Sequence, residues 1–342
     1  MAANSKHLPF VNAGLTINYI VLSIQLCYFL YFVLMCADKN YCAFAGFYCL
    51  AFWMLFSCCT RKTETGTGVS PKHFLIEIPF QTDNRGIIIT THWGTGKKEY
   101  RLYLDNHSPS WVNDAVLRNN TATSKSKDFA YSTSTADGKI LQGDVYMCDS
   151  VNIGGLSFTG VPFYNISNES NNGKIDGAVG ESIMEHGIWK IDFKNKRIAI
   201  ASDIDSIKGM KGATRLPAFF TDKAIEIEII FSNGNQQRVG LDLGFNGDLI
   251  LPATSFMLAI APGKKTFMEK RNFSTPAGSS VVDDRTTRDR VQAGRQYFET
   301  LVSSNKLVKE KLIGLLFFKQ FEFMVIDYIN KAVYLSQKRM PA

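Results

Sequence analysis

The sequence predicts an all-β protein with few short helices: two tandem closed β lobes related by internal duplication, preceded by an apolar membrane or signal segment. Three observations carry this reading. The same ordered landmarks occur twice, about 135 residues apart; apolar and polar residues alternate through much of the chain beyond residue 72; and the first sixty residues hold two long charge-free stretches. The length of 342 residues suits two domains and a leading segment, at roughly 150 residues per domain. With 45% hydrophobic and 20% charged residues, disorder is excluded as the main state. The net charge of +7 is spread without a block of like charges, so no nucleic-acid partner is expected.

The leading segment comes first. No charge occurs between Lys6 and Asp38, or between Lys39 and Arg61. The 23 residues of 15–37 are long enough to cross a bilayer as a helix, and the 17 of 41–57 are at the short end for doing so. Leu55-Phe56-Ser57-Cys58 resembles a bacterial lipoprotein processing box, which would make Cys58 the lipidated mature N-terminus. The other open reading is a two-helix hairpin turning at Ala37-Asp38-Lys39-Asn40, with the globular part in the cytoplasm. Met35 as an alternative start also stays open. The expected organisation is residues 1–60 as the apolar region, 61–71 as a tether, 72–208 as the first lobe and 209–342 as the second.

Six of the seven cysteines lie before residue 60, so Cys148 has no partner in the globular part and no disulfide framework is expected there. One cysteine and His73, His92, His107 and His186, at no ligand-like spacing, give no metal site.

Within the repeat, each copy starts with an apolar strand ending in aspartate: Tyr100-Arg101-Leu102-Tyr103-Leu104-Asp105, then Arg238-Val239-Gly240-Leu241-Asp242. Each then has an apolar-glycine element, Ala178-Val179-Gly180 and Leu312-Ile313-Gly314, followed by a short helix over 181–186 and 315–320. Each closes in a hairpin with an Asn-Lys turn, over 191–200 and 326–335. The offsets are 137 residues between the aspartates, 134 between Gly180 and Gly314, and 135 between Asp192 and Asp327. Alternation predicts further strands over 86–91, 144–147, 157–161 and 224–231. A longer helix is expected over 292–305, where Tyr297, Phe298 and Leu301 fall at helical spacing. Residues 129–146, with Asp137-Gly138 at the turn, read as a flap hairpin on which Tyr131 is a candidate substrate contact. The charged stretch 264–292 reads as an exposed mobile loop. Trp111-Val112 reads as lobe packing, and Asp248 as solvated or satisfied in a turn.

Taken together these landmarks resemble the aspartic peptidase superfamily, and within it the tandem-lobe retroviral/pepsin-like enzymes of bacterial envelope lipoprotein type, with degenerate active-site motifs. The likeness covers about residues 72–338. It implies pepsin/retroviral-protease-like lobes, a catalytic dyad of Asp105 and Asp242, and an aspartic endopeptidase (a hydrolase) acting on a peptide or protein substrate without cofactor. It also implies a monomer, since both lobes are in one chain, anchored at the bacterial cell envelope by lipid or apolar helices. Two carboxylates within hydrogen-bond reach share a proton, so one can act as base towards water while the other protonates the carbonyl oxygen.

Departures from the family pattern bear on activity. Its members carry Thr or Ser after each aspartate, bonded across to the opposite loop, and then Gly. Here Asn106 and Leu243 occupy the first of those positions, and His107 and Gly244 the second. Asn106 can replace a hydroxyl, Leu243 cannot, and His107 brings a side chain whose charge favours ionised carboxylates. The alternative function is therefore a catalytically inactive lipoprotein of this fold that binds peptides or glycans between the lobes.

Overall fold

The computed structural model describes residues 68–118, 123–166, 175–221, 224–275 and 278–337. The expectations for residues 1–60, including Cys58, lie outside the described residues. Among the described residues no helix is long and apolar enough to cross a membrane.

Three sheets organise the two-lobe, all-β fold. A nine-stranded sheet is built from Gly68–Ser70 through Gly177–Val179, and an eight-stranded sheet from Ala218–Phe220 through Leu312–Gly314. Each curls back on itself through an extra pairing, Ile140–Ile153 with Leu156–Asn165 in the first and Ile225–Ile230 with Gly278–Ala293 in the second. Between them lies a six-stranded sheet to which both halves contribute. The first strand, Gly68–Ser70, begins inside the expected tether and pairs with Ser157–Thr159.

The six-stranded sheet shows how the duplication folds. Its central pair joins Ile188–Asp192 to Phe323–Asp327, antiparallel, with Lys190 opposite Val325 and Ile188 opposite Asp327. These strands are equivalent in the two copies, so the pseudo-twofold axis passes between Lys190 and Val325. Each is flanked by its own hairpin partner, Arg197–Ala201 and Ala332–Leu335. Outside those lie Leu75–Pro79 and Thr214–Leu216. The two turns are built alike. Asp192 accepts the Asn195 N–H at 2.8 Å and its side-chain amide at 2.9 Å, and Asp327 does the same for Asn330 at 2.8 and 2.9 Å. Lys196 and Lys331 then take positive φ of 52° and 51°. The Asp-x-x-Asn spacing thus satisfies donors that the four-residue connections, 193–196 and 328–331, would otherwise leave unpaired.

Most apolar residues of both halves join one continuous core, which includes Trp189, Phe158, Phe163, Phe317 and Phe321 among its fully buried members. The expected strands over 86–91, 144–147, 157–161 and 224–231 fall within Ile87–Trp93, Ile140–Ile153, Leu156–Asn165 and Ile225–Ile230, give or take a terminal residue. The short helices are Glu181–Met184 and Leu315–Phe318.

Two expectations are corrected. The helix over 292–305 is instead the end of strand Gly278–Ala293, a turn at Gly294-Arg295, and strand Gln296–Ser304. Gly294 has φ of 60°, and Phe298, Thr300 and Val302 are buried while Tyr297 and Glu299 are exposed, so the period is two and not 3.6. The mobile loop over 264–292 is instead a hairpin of Phe267–Thr275 and Gly278–Ala293. Its polar residues are alternately buried and paired. Asp289 accepts from Ser232 Oγ at 2.6 Å and pairs with Lys264, while Asp284 accepts from Asn305 at 2.8 Å.

Candidate active site

Each candidate aspartate sits at the end of a strand that is held from one side by the apolar-glycine element. Gly177–Val179 runs parallel to Glu99–Leu104 and antiparallel to Trp111–Val112. Leu312–Gly314 runs parallel to Gln236–Asp242 and antiparallel to Leu249–Ile250. The register is equivalent: Val179 faces Leu104, and Ile313 faces Leu241. In each half the chain after the aspartate therefore loops around a strand threaded through it. Space there is tight. A Cβ on Gly180 would meet the backbone of Ser108 and Pro109 closer than 3.0 Å, and one on Gly314 would meet that of Phe245 and Gly247.

The two loops bind their carboxylates in the same way. Asp105 Oδ1 accepts the backbone N–H of His107 at 3.1 Å, and Asp242 Oδ1 accepts that of Gly244 at 2.7 Å. Asp242 also accepts the Phe245 N–H at 2.9 Å. The aspartates meet at Gly244. Its N–H bonds to Asp242, and a Cβ on it would lie closer than 3.0 Å to all three atoms of the Asp105 carboxyl group. Glycine is required here because the opposite aspartate occupies the side-chain space.

Asn106 holds the loops together. It is buried, its Nδ2 donates to the Leu241 carbonyl at 2.8 Å, and its Oδ1 accepts the Leu243 N–H at 2.9 Å. One amide thus bonds the residues before and after Asp242. Leu243 returns nothing of the kind, since its side chain is buried in the apolar core.

His107 points across the seam. Its Nε2 is 3.3 Å from Glu310, and its Cε1 lies 3.1 Å from where a Cβ on Gly240 would be. Burial disfavours the imidazolium, but the Glu310 hydrogen bond and the charges of Asp242 and Asp105 outweigh it and raise the His107 pKa to about 9. Asp242 is pushed up to about 7, first by burial and then by the charge of Asp105, with His107 opposing. Burial also raises Asp105, again against the charge of His107. Such a pair titrates jointly, and a carboxyl group that keeps its proton beside an ionised one can serve as acid while its neighbour serves as base.

The other candidates separate from this centre. Trp111 packs with Ile166 and Ala178, as expected for lobe packing. Asp248 is half-buried in a bend, and its backbone carbonyl accepts the Gly314 N–H at 2.7 Å. Tyr131 lies on the flap hairpin opposite Gly143, and its side chain is outside the described residues. Sequence reasoning missed Glu310. The repeat offset of 134 residues aligns it with Asp176, so an acidic residue precedes each threading strand, and that correspondence is the signal that marks it. Among the described residues no group of three or more potential metal ligands occurs.

No family model matches the chain, and no curated protein matches it in sequence. Among solved structures 245 chains match. One is the crystal structure of aspartic proteinase from Irpex lacteus, with 14% sequence identity and a TM-score of 0.55. The match covers 78% of this chain and 98% of that one, and at this identity the likeness is one of fold.

Proposed function

We propose that the chain is an aspartic-type endopeptidase in which Asp105 and Asp242 activate water for attack on a peptide bond. The observation that carries this is their convergence on Gly244, one carboxylate accepting its N–H and the other resting against its Cα. The shared proton, with the raised Asp242 pKa, supplies the acid while the ionised partner supplies the base. Asn106, His107, Leu243 and Gly244 form the loops that support the dyad, and no cofactor takes part. The substrate is a peptide or protein held in extended form between the halves, and one chain suffices because it carries both aspartates. The fold of the Irpex lacteus aspartic proteinase supports the same reading.

The test is acid-favoured cleavage of a mixed peptide library by the full chain. Asp242→Asn is expected to lower turnover by about 10²–10⁴-fold, the contribution typical of a general acid or base, with its circular dichroism unchanged. Undiminished cleavage by that variant refutes the proposal.

Leu243 favours a second reading, a peptide- or glycan-binding protein of the same fold without turnover. Its apolar side chain leaves the dyad braced from one loop only. Saturable peptide binding without hydrolysis across pH 3–8 would select it. Anchoring at a bacterial envelope belongs to both readings and rests on the charge-free stretches before Arg61. A diacylglyceryl group on Cys58, found by mass spectrometry of the membrane fraction, supports the lipoprotein form. An intact N-terminus there excludes it.

A further inference from the structure

The flap hairpin, Thr123–Ser134 and Ile140–Ile153, does not end in solvent. At its tip Ala136, like Phe245 and Phe273, packs against the buried cluster of Ile250, Val308 and Leu312 in the second half. The Ala136 carbonyl accepts the Lys309 backbone N–H at 2.9 Å. The tip is braced from within, for the Thr135 N–H donates to the Lys139 carbonyl at 2.9 Å and the Gly138 N–H to the Thr135 carbonyl at 2.7 Å.

The two residues after Lys309 bond elsewhere. Glu310 pairs with His107 on the first aspartate loop at 3.3 Å. The Lys311 carbonyl accepts the Gly240 N–H of the second aspartate strand at 2.8 Å. Three consecutive residues thus reach the flap tip, one aspartate loop and the strand that carries the other aspartate. A turn with its backbone acceptor engaged and its one methyl group against apolar side chains is a docked element.

We propose that residues 309–311 form a latch that holds the flap shut across the seam between the halves, with Glu310 the positioning residue that ties the latch to the first aspartate loop through His107. The proposal rests on the peptidase reading only in treating that seam as the substrate cleft. Opening requires the tip to leave its apolar recess and the Lys309 N–H to lose its acceptor, so substrate entry is gated by a local opening of the hairpin.

Hydrogen–deuterium exchange of the full chain tests this without a substrate. In the unmodified protein the amides of 135–139 are expected to exchange at least tenfold more slowly than in a free peptide. Ala136→Asp, which sets a carboxylate against the recess, should raise that exchange about tenfold and leave 188–192 and 323–327 protected. If those central strands also lose protection, Ala136→Gly removes only the methyl group and should raise tip exchange by a smaller factor. Glu310→Gln should speed exchange both at the tip and in 105–109. A tip that exchanges like a free peptide in the unmodified protein overturns the latch, as does one unmoved by both Ala136 variants. A tip unmoved by Glu310→Gln overturns the role of Glu310. Absence of peptide hydrolysis would refute the proposed function and leave this exchange pattern standing, whereas an unprotected tip would refute the latch and leave hydrolysis standing.

Discussion

Asn106 is the residue on which the candidate site depends most. A hydroxyl after the second aspartate is absent, yet the Asn106 amide donates to Leu241 and accepts from Leu243, so both polar groups flanking Asp242 are satisfied from one side chain. Asn106→Ala would leave a buried donor and a buried acceptor unpaired, at about 1–3 kcal/mol each. A lowered midpoint in urea denaturation, partly restored by Asn106→Thr, is the expected result. His107 acts through charge. Its imidazolium lowers the pKa of both aspartates, so His107→Gly should move the whole pH profile of kcat/KM to higher pH. A profile that stays in place would detach His107 from the dyad. The capacity of Asn106 to bridge the loops was legible from its side-chain chemistry, because an amide carries both a donor and an acceptor. Glu310 was legible only through the repeat, which aligns it with Asp176, since its partner His107 lies 203 residues away and no local pattern joins them.

At the scale of elements, the threading strands set where the aspartates stand. Gly314 permits the crossing, for a Cβ would meet the Phe245 and Gly247 carbonyls. Gly314→Ala should therefore destabilise by about 1–3 kcal/mol, as overpacking does, and thermal unfolding measures it. The repeat made these strands legible because each keeps its glycine and its spacing from the aspartate. The closing hairpins were legible for a similar reason, since Asp192 with Asn195 and Asp327 with Asn330 build one turn twice. The region 264–305 was misread because its polar content is not solvated. Asp284, Asp289 and Thr300 are buried on long strands, and the partners that make this tolerable for the aspartates, Asn305 for Asp284 and both Ser232 and Lys264 for Asp289, are 21 or more residues distant in sequence. The helical spacing of Tyr297, Phe298 and Leu301 is coincidental, for on the strand Phe298 is buried and its neighbour Tyr297 is exposed on the other face, and the turn at Gly294 sets that strand off.

At the scale of the molecule, the shared six-stranded sheet joins the duplicated halves through the pairing of Ile188–Asp192 with Phe323–Asp327, and the two aspartate loops meet at Gly244. The charges gathered near the seam make stability depend on pH. Asp242, raised from 3.8 to about 7, contributes stability that is full below 3.8 and lost as pH rises through 7. His107, raised from 6.5 to about 9, contributes stability that is full below 6.5 and lost through 9. Burial works against the ionised forms of Asp83 and Asp137, but their hydrogen bonds outweigh it and lower both, so each contributes stability above 3.8 that is lost in stronger acid. The denaturation midpoint is therefore expected to peak at about pH 4 and to fall from there towards pH 9, and a midpoint that rises between about pH 4 and 7 would contradict these assignments. The most direct test of the account as a whole is ¹³Cγ NMR titration of the aspartates in the full chain and in Asp105→Asn. If the two halves bring their carboxylates together, Asp242 titrates near 7 in the unmodified protein and shifts to lower pH when Asp105 loses its charge. An Asp242 titration that Asp105→Asn leaves unmoved would mean that the carboxylates do not interact, and the proposed dyad would be wrong.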